Sequence, residues 1–208
     1  MTHPTLPKPL SGFSHVNRYW DRRMNVAAAK ILPGQFYVST QGEMIATVLG
    51  SCISACVRDR KIGIGGMNHF MLPMSGDHSS WDHNQVGAAA RYGNWAMEYL
   101  INAILKAGGR REQLEVKLFG GGAVLSNMTN IGEKNIQFAL DYLRQESLEV
   151  TAQDLGGVFP RKVLYFSDTG AVKLRKLKSR HNDTVEKREE EYRRSISVEP
   201  KSGDVELF

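Results

Sequence analysis

No stretch of this sequence approaches the roughly 20 consecutive apolar residues that a membrane-spanning helix needs, so no membrane insertion is expected. The first ten residues carry prolines at 4, 7 and 9 and no apolar core, which argues against a secretory signal. Cysteine is scarce: Cys52 and Cys56 are the only two. Four residues apart on a strand, they would lie about 13 Å from each other, too far to bridge. A disulfide framework is not expected, and a reducing cytoplasm is the expected setting. The net charge is +5 and the pI about 9.2, yet the basic residues are scattered and no aromatic-interleaved basic stripe is present. No nucleic-acid partner is therefore expected. Gly120-Gly121-Gly122 lacks the lysine and Ser/Thr of a nucleotide-binding loop. It reads instead as a tight strand exit that another backbone or a substrate passes closely.

What is present is enough for one compact domain with tails. The apolar fraction of 41% and charged fraction of 24% are those of a globular enzyme or binding module. Residues 1–34 read as an irregular lead-in, with a polar, helix-capable segment starting at Trp20. Strands are expected at 35–40, 44–49, 52–58, 62–71, 114–119 and from 150. A hairpin is expected from 162–166 and 171–174 about Asp168-Thr169-Gly170. Residues 74–85, with Asp77, His78 and His83, read as a solvated loop. Helices are expected over 86–106, with Ala88, Tyr92, Trp95, Ala96, Tyr99, Ala103 and Ile104 on a buried face, and over about 132–145, with Ile136, Leu140 and Leu143 inward. The fold class is α/β: a layered α+β sandwich, a mixed sheet packed with two main helices. Residues 35–178 would form the functional domain. Residues 179–208 are so charged that they read as a solvated helix or a disordered tail.

Two glycine-punctuated segments can carry chemistry: Thr47-Val-Leu-Gly-Ser-Cys52 and Gly66-Met-Asn-His69-Phe-Met-Leu-Pro73. A thiol attacks only as its thiolate, and a neighbouring imidazole can take the proton and stabilise the sulfur anion. If the strands on either side of Asp59 pair without a bulge, residue 52 falls opposite residue 69. The Gly50-Ser51-Cys52 turn would leave backbone N–H groups free to hold an oxyanion. Thr47 or Ser51 could orient the imidazole, and Asn68 stands beside His69 as a further substrate-binding candidate. Taken singly, Cys52 reads as a buried structural thiol and His69 as a core histidine; together on paired strands they point to a site. A zinc site from Cys52, Cys56 and His69 lacks a fourth ligand. No metal or cofactor is expected.

These segments resemble a known family, the chemoreceptor glutamine deamidases, CheD. The matching pieces are Leu49-Gly-Ser-Cys52, Gly65-Gly-Met-Asn-His69-Phe-Met-Leu-Pro73, Lys117-Leu-Phe-Gly-Gly-Gly122, Asn130-Ile-Gly, Asp154-Leu-Gly-Gly157 and Arg161-Lys-Val163, in order over about residues 35–175. The resemblance implies hydrolysis of glutamine side-chain amides on the cytoplasmic part of bacterial chemotaxis receptors. Cys52 would form a thioester and His69 would carry the proton. It also implies activity on receptor glutamyl methyl esters, a chemotaxis phosphatase as a regulatory partner, and a fold similar to the catalytic domain of cytotoxic necrotizing factor toxins. The family threonine six residues before the cysteine is Ala46 here, with Thr47 next door, and a one-residue slip in a strand turns a side chain to the other face. Two other readings fit the residues: another cysteine acyl-transfer enzyme, or a non-catalytic chemotaxis adaptor.

Overall fold

The computed structural model describes residues 5–73, 83–124, 130–178 and 183–198. Its strands are β1 (Asn17–Asp21), β2 (Val26–Lys30), β3 (Phe36–Ser39), β4 (Met44–Leu49), β5 (Ile53–Asp59), β6 (Gly65–Asn68), β7 (Leu114–Gly120), β8 (Val150–Leu155), β9 (Arg161–Phe166) and β10 (Val172–Lys176). Its helices are α1 (His83–Lys106), α2 (Ile131–Gln145) and α3 (Asp183–Val198). The strands form two five-stranded sheets, ordered β1-β2-β4-β9-β10 and β3-β6-β5-β7-β8. Both mix parallel and antiparallel pairs, since β2 runs parallel to β4 and β7 to β8. The sheets face each other: a Cβ on Gly65 of the second would touch Ser167 and the Tyr165 hydroxyl at the far end of the first. α1 and α2 cover the other face of the second sheet, packing on β3, β5 and β6. The layered α/β reading holds.

β5 explains why a site can sit here. Its sequence, ISACVRD, is buried at every position but Arg58, the pattern of a strand covered on both faces. It is central in its sheet, between β6 and β7, so what enters it is held on all sides. Asp59 closes the turn after it by accepting the Lys61 and Ile62 amides at 2.8 and 3.2 Å.

Several expectations need correction. The lead-in is not irregular throughout: Trp20 lies in β1, which pairs residue for residue with β2. β2 then joins β4 in the first sheet, so this segment belongs to the domain. Among the residues of α1 whose burial is described, Gly93, Met97, Leu100 and Ile101 are buried, together with Ile104 as expected. Tyr99 is 60% exposed and stacks on Phe36 at the helix rim. The stripe is rotated because close approach decides it. Gly93 has no room for a Cβ beside Phe138 of α2, nor Gly66 beside Leu100. On α2 the inward residues centre on Asn135, Ala139, Tyr142 and Leu143, with Ile136 and Leu140 only half-buried. The 74–85 loop lies mostly outside the described residues, and α1 already starts at His83. The tail from 183 is helical, but it is not solvated all round. Val185, Glu189 and Ile196 are buried and Tyr192 is half-buried, steps of four, three and four that define one face.

The glycine run after β7 behaves as a close-approach element. Gly120 has φ +118°, a conformation that side chains rarely adopt, and a Cβ there would overlap the Cys52 carbonyl. Gly120→Ala should cost more than the roughly 1–3 kcal/mol of its backbone conformation. Gly12→Ala, with φ +92° and open space around its Cβ, should cost the conformational part alone. Urea midpoints of the two variants measure the difference.

Candidate active site

β4 ends at Leu49, and the chain crosses from the first sheet to the second through Gly50, Ser51 and Cys52. All three carbonyls of this crossing are tied down on one side. Gly50 O accepts Gly122 N at 2.8 Å, Cys52 O accepts Gly121 N at 2.8 Å, and Ser51 O accepts Asn135 Nδ2 at 2.9 Å. Asn135 is fully buried on α2 and takes the Leu72 amide with its other atom, at 2.9 Å. With the carbonyls so fixed, the three N–H groups point the other way and converge.

They converge on a carboxylate. Glu189 of α3, 1% exposed, accepts Gly50 N at 2.7 Å and Cys52 N at 3.2 Å on Oε1. Its Oε2 accepts Ser51 N and the Ser51 hydroxyl, both at 2.7 Å. The Gly50 and Ser51 amides, with that of Cys52, thus meet at the Glu189 carboxyl group. A buried carboxylate is costly unless its oxygens are satisfied, and here each takes two donors.

His69 follows β6 and is clamped by its backbone. Its N–H donates to Gln35 O at 2.9 Å and its carbonyl accepts Gly34 N at 2.7 Å. The register of β5 on β6 is Cys56 with Met67, continued by Ile53 with Phe70. Cys52 is thus diagonal to His69 rather than opposite it. A shift of two residues keeps both on one face, so the expected proximity survives. Cys52, His69 and Glu189 bring a sulfur, a ring nitrogen and a carboxylate oxygen within 4.8 Å of one another.

Thr47 meets the ring. Its Oγ1 lies 2.8 Å from His69 Nδ1 and 3.0 Å from the Ile31 carbonyl. A carbonyl only accepts, so the single hydroxyl proton goes to Ile31 and Oγ1 must accept from His69. Nδ1 therefore carries the hydrogen and Nε2 is a bare lone pair. Nε2 is buried and has no hydrogen-bond partner among the described residues, which leaves its lone pair able to accept a proton. Ala46, the position that the family pattern suggested, offers only its carbonyl, which accepts Ile31 N at 3.0 Å.

Asn68 does not belong to the site. Its Oδ1 accepts Ala55 N at 2.7 Å and its Nδ2 donates to Ala96 O at 2.8 Å, so its polar atoms are spent tying β5 to α1. Sequence reasoning missed Asn135 and Glu189. An acid on the 185/189/192/196 stripe was the available signal. Among the described residues Cys52, His69 and Glu189 form a cluster that could hold a metal ion, but both Glu189 oxygens are already taken up by four hydrogen-bond donors.

Electrostatics differ from the expected thiolate. Burial, then the Glu189 charge and its hydrogen bond, push the Cys52 thiol well up. Burial, and next the positive Arg188, pull His69 down to about 3. Both partners are neutral as arranged. Cys56 is also buried and free, without a bridge to Cys52.

A thiol, an imidazole whose Nδ1 carries the hydrogen and a crossing loop that holds a carboxylate, set in a layered α/β domain, are compatible with a cysteine–histidine hydrolase. The sequence profile of the family described as "CheD chemotactic sensory transduction" matches residues 71–176. A relative from Halorhodospira halophila is 56% identical over 205 residues, covering 98% of this chain and 95% of that protein. One from Saccharophagus degradans is 49% identical over 98% of this chain and 94% of its own. One from Methylobacillus flagellatus is 50% identical over 98% and 100%. Each is named "Probable chemoreceptor glutamine deamidase CheD". The chain belongs to the CheD family.

Removing the Thr47 hydroxyl while keeping its shape should free the ring. Thr47→Val is expected to lower turnover about 10- to 100-fold, whereas Thr47→Ser retains most of it; steady-state kinetics separates the two. Stability should also carry a signature of the buried neutral ring. Below pH 6.5 the unfolded chain protonates His69, while the folded chain resists until about 3. Stability from this group is therefore complete above pH 6.5 and lost as pH falls toward 3. Urea unfolding across that range should show a shallower acid slope for His69→Gln than for the native protein.

Proposed function

We propose that this protein hydrolyses glutamine side-chain amides of chemotaxis receptors to glutamate, with Cys52 as nucleophile, His69 as base and Thr47 as its positioning residue. The observation that carries this reading is the crossing loop, whose N–H groups hold a carboxylate of the kind the reaction produces, within reach of Cys52 and His69. The names of the relatives agree with it.

The positions support the following chemistry. With the seat vacant for substrate, the amide oxygen takes the place of Oε1 between Gly50 N and Cys52 N. His69 Nε2 removes the thiol proton and the sulfur adds to the amide carbon. The oxyanion that forms gains most from donors already in place, since nothing has to reorient as charge develops. The C–N bond breaks as His69 returns the proton to the departing ammonia. Water then gives a proton to Nε2 and its hydroxide adds to the thioester, releasing glutamate and restoring the thiol. The water-derived oxygen of the product takes the place of Oε2, facing Ser51. A glutamyl methyl ester presents the same acyl carbon with methanol as leaving group, so the same residues would hydrolyse it. The setting that goes with this proposal is the cytoplasm, where receptor cytoplasmic parts lie and two unbridged cysteines persist. Among the described residues no helix is long and apolar enough to cross a membrane.

Incubation with the cytoplasmic fragment of a chemoreceptor should release ammonia and convert particular glutamines to glutamate by mass. Cys52→Ala should abolish both while its circular dichroism and unfolding midpoint stay near native; Cys56→Ala should keep activity. Undiminished conversion by Cys52→Ala would refute the assignment.

A further inference from the structure

The carboxylate in the site belongs to the chain itself. α3 presents Glu189 from the centre of its inward face, with Val185 before it and Tyr192 and Ile196 after it. Tyr192 packs where a Cβ on Gly34 would sit, and its hydroxyl meets that of Tyr92. The outward face carries Lys187, Glu191 and Arg194, all exposed. The sequence that covers the site is thus a helix delivering one glutamate side chain to the acyl position.

Glutamate is what the reaction read above makes. The fit favours that product over the amide it comes from. Ser51 N–H can only donate, so it suits a carboxylate oxygen and opposes an amide NH2 in the same place. Oε1, between Gly50 N and Cys52 N, sits where the oxyanion would form. The thiol cannot reach another acyl group while Glu189 is there. Among the described residues the buried apolar side chains of α3 are Val185 and Ile196, with Tyr192 half-buried, a modest apolar contact that a competing helix of the same pattern could replace.

We propose that α3 is a built-in product mimic that closes the site, and that its seat is the docking groove for a helical segment of the substrate. That segment would carry its glutamine at the position of Glu189, with apolar residues four before and three and seven after. The proposal rests on the deamidase reading for the identity of the substrate, but not for the closure.

The full-length protein tests it. Iodoacetamide should label Cys52 about tenfold faster or more in Glu189→Ala than in the native protein, with Cys56 as internal reference. Tyr192→Ala, which loosens the same helix without touching the loop donors, should move labelling the same way. Deamidation of a receptor fragment should rise with labelling in both. Cys52 labelling no faster in either variant overturns the closure. Faster labelling with loss of deamidation in Glu189→Ala makes Glu189 part of the catalytic machinery and overturns its role as a mimic. If labelling rises in both variants and no variant or native protein deamidates receptor fragments, closure stands and the deamidase reading falls.

Glu189→Gln tests the acyl placement directly. There the chain is its own substrate: Cys52 displaces ammonia from the introduced side-chain amide, water cleaves the thioester, and intact mass shows return to glutamate. The conversion should be independent of protein concentration and absent when Cys52→Ala is added. An amide persisting at position 189 in a protein that deamidates receptor fragments would overturn the claim that α3 lies as a substrate helix does.

Discussion

Three consecutive peptide units between β4 and β5 have their polar groups sorted to opposite sides, and the rest of the site follows from that sorting. A buried crossing must satisfy its carbonyls, and Gly121, Gly122 and Asn135 do so from behind. The donors are then left facing one point, fixed before any ligand arrives. Glycine at 120 and 121 is what lets the backbone come close enough: a side chain at either would strike Cys52 O or Ile136. Asn135 matters for the same reason. It carries no chemistry, yet it ties α2 to the loop and to Leu72 in one residue.

The same point in space serves two incompatible charges. A thiolate at Cys52 and a carboxylate at Glu189 repel each other in a medium of low dielectric, and burial disfavours both alternatives to neutrality. The closed arrangement therefore keeps sulfur and imidazole uncharged. Departure of α3 would remove the negative charge of Glu189 and the positive charge of Arg188 together and admit solvent. Loss of Glu189 removes a charge that raises the thiol, loss of Arg188 removes one that lowers the imidazole, and solvent lowers the cost of charge on both. Opening and activation are then one event.

Much of this was legible in the sequence. The β9–β10 hairpin, β4 and the extents of α1 and α2 follow from periodicity and glycine punctuation. The proximity of Cys52 and His69 is legible because strand pairing across Asp59 tolerates a two-residue shift without changing face. The sequence offers Thr47 and Ser51 alike as partners of the ring; the contact of Thr47 with His69 Nδ1 depends on the crossing of β4 beside β6, which spacing does not reveal. What stayed hidden depended on tertiary contacts. β1 escaped notice because Asn17–Asp21 is polar and only half-buried, so its register with β2 carries no hydrophobic signal. The α1 face was turned because Gly93, not an apolar residue, marks the tightest contact. Asn68 looked functional beside His69, but adjacent strand residues point to opposite faces. α3 was masked by its own charges. Val185, Tyr192 and Ile196 sit at helical spacing, but the residue completing their stripe is an acid, which ordinarily marks a solvated face.

The most direct measurement is a crystal structure of the protein with Cys52 trapped as a covalent adduct of a glutamine-like electrophile. The carbonyl oxygen of the adduct should lie within hydrogen-bonding distance of the Gly50 and Cys52 amides, with His69 Nδ1 still on Thr47 and Glu189 expelled. An adduct whose oxygen points away from the loop while Glu189 keeps its four donors would contradict the assignment of those amides as the acyl-binding site.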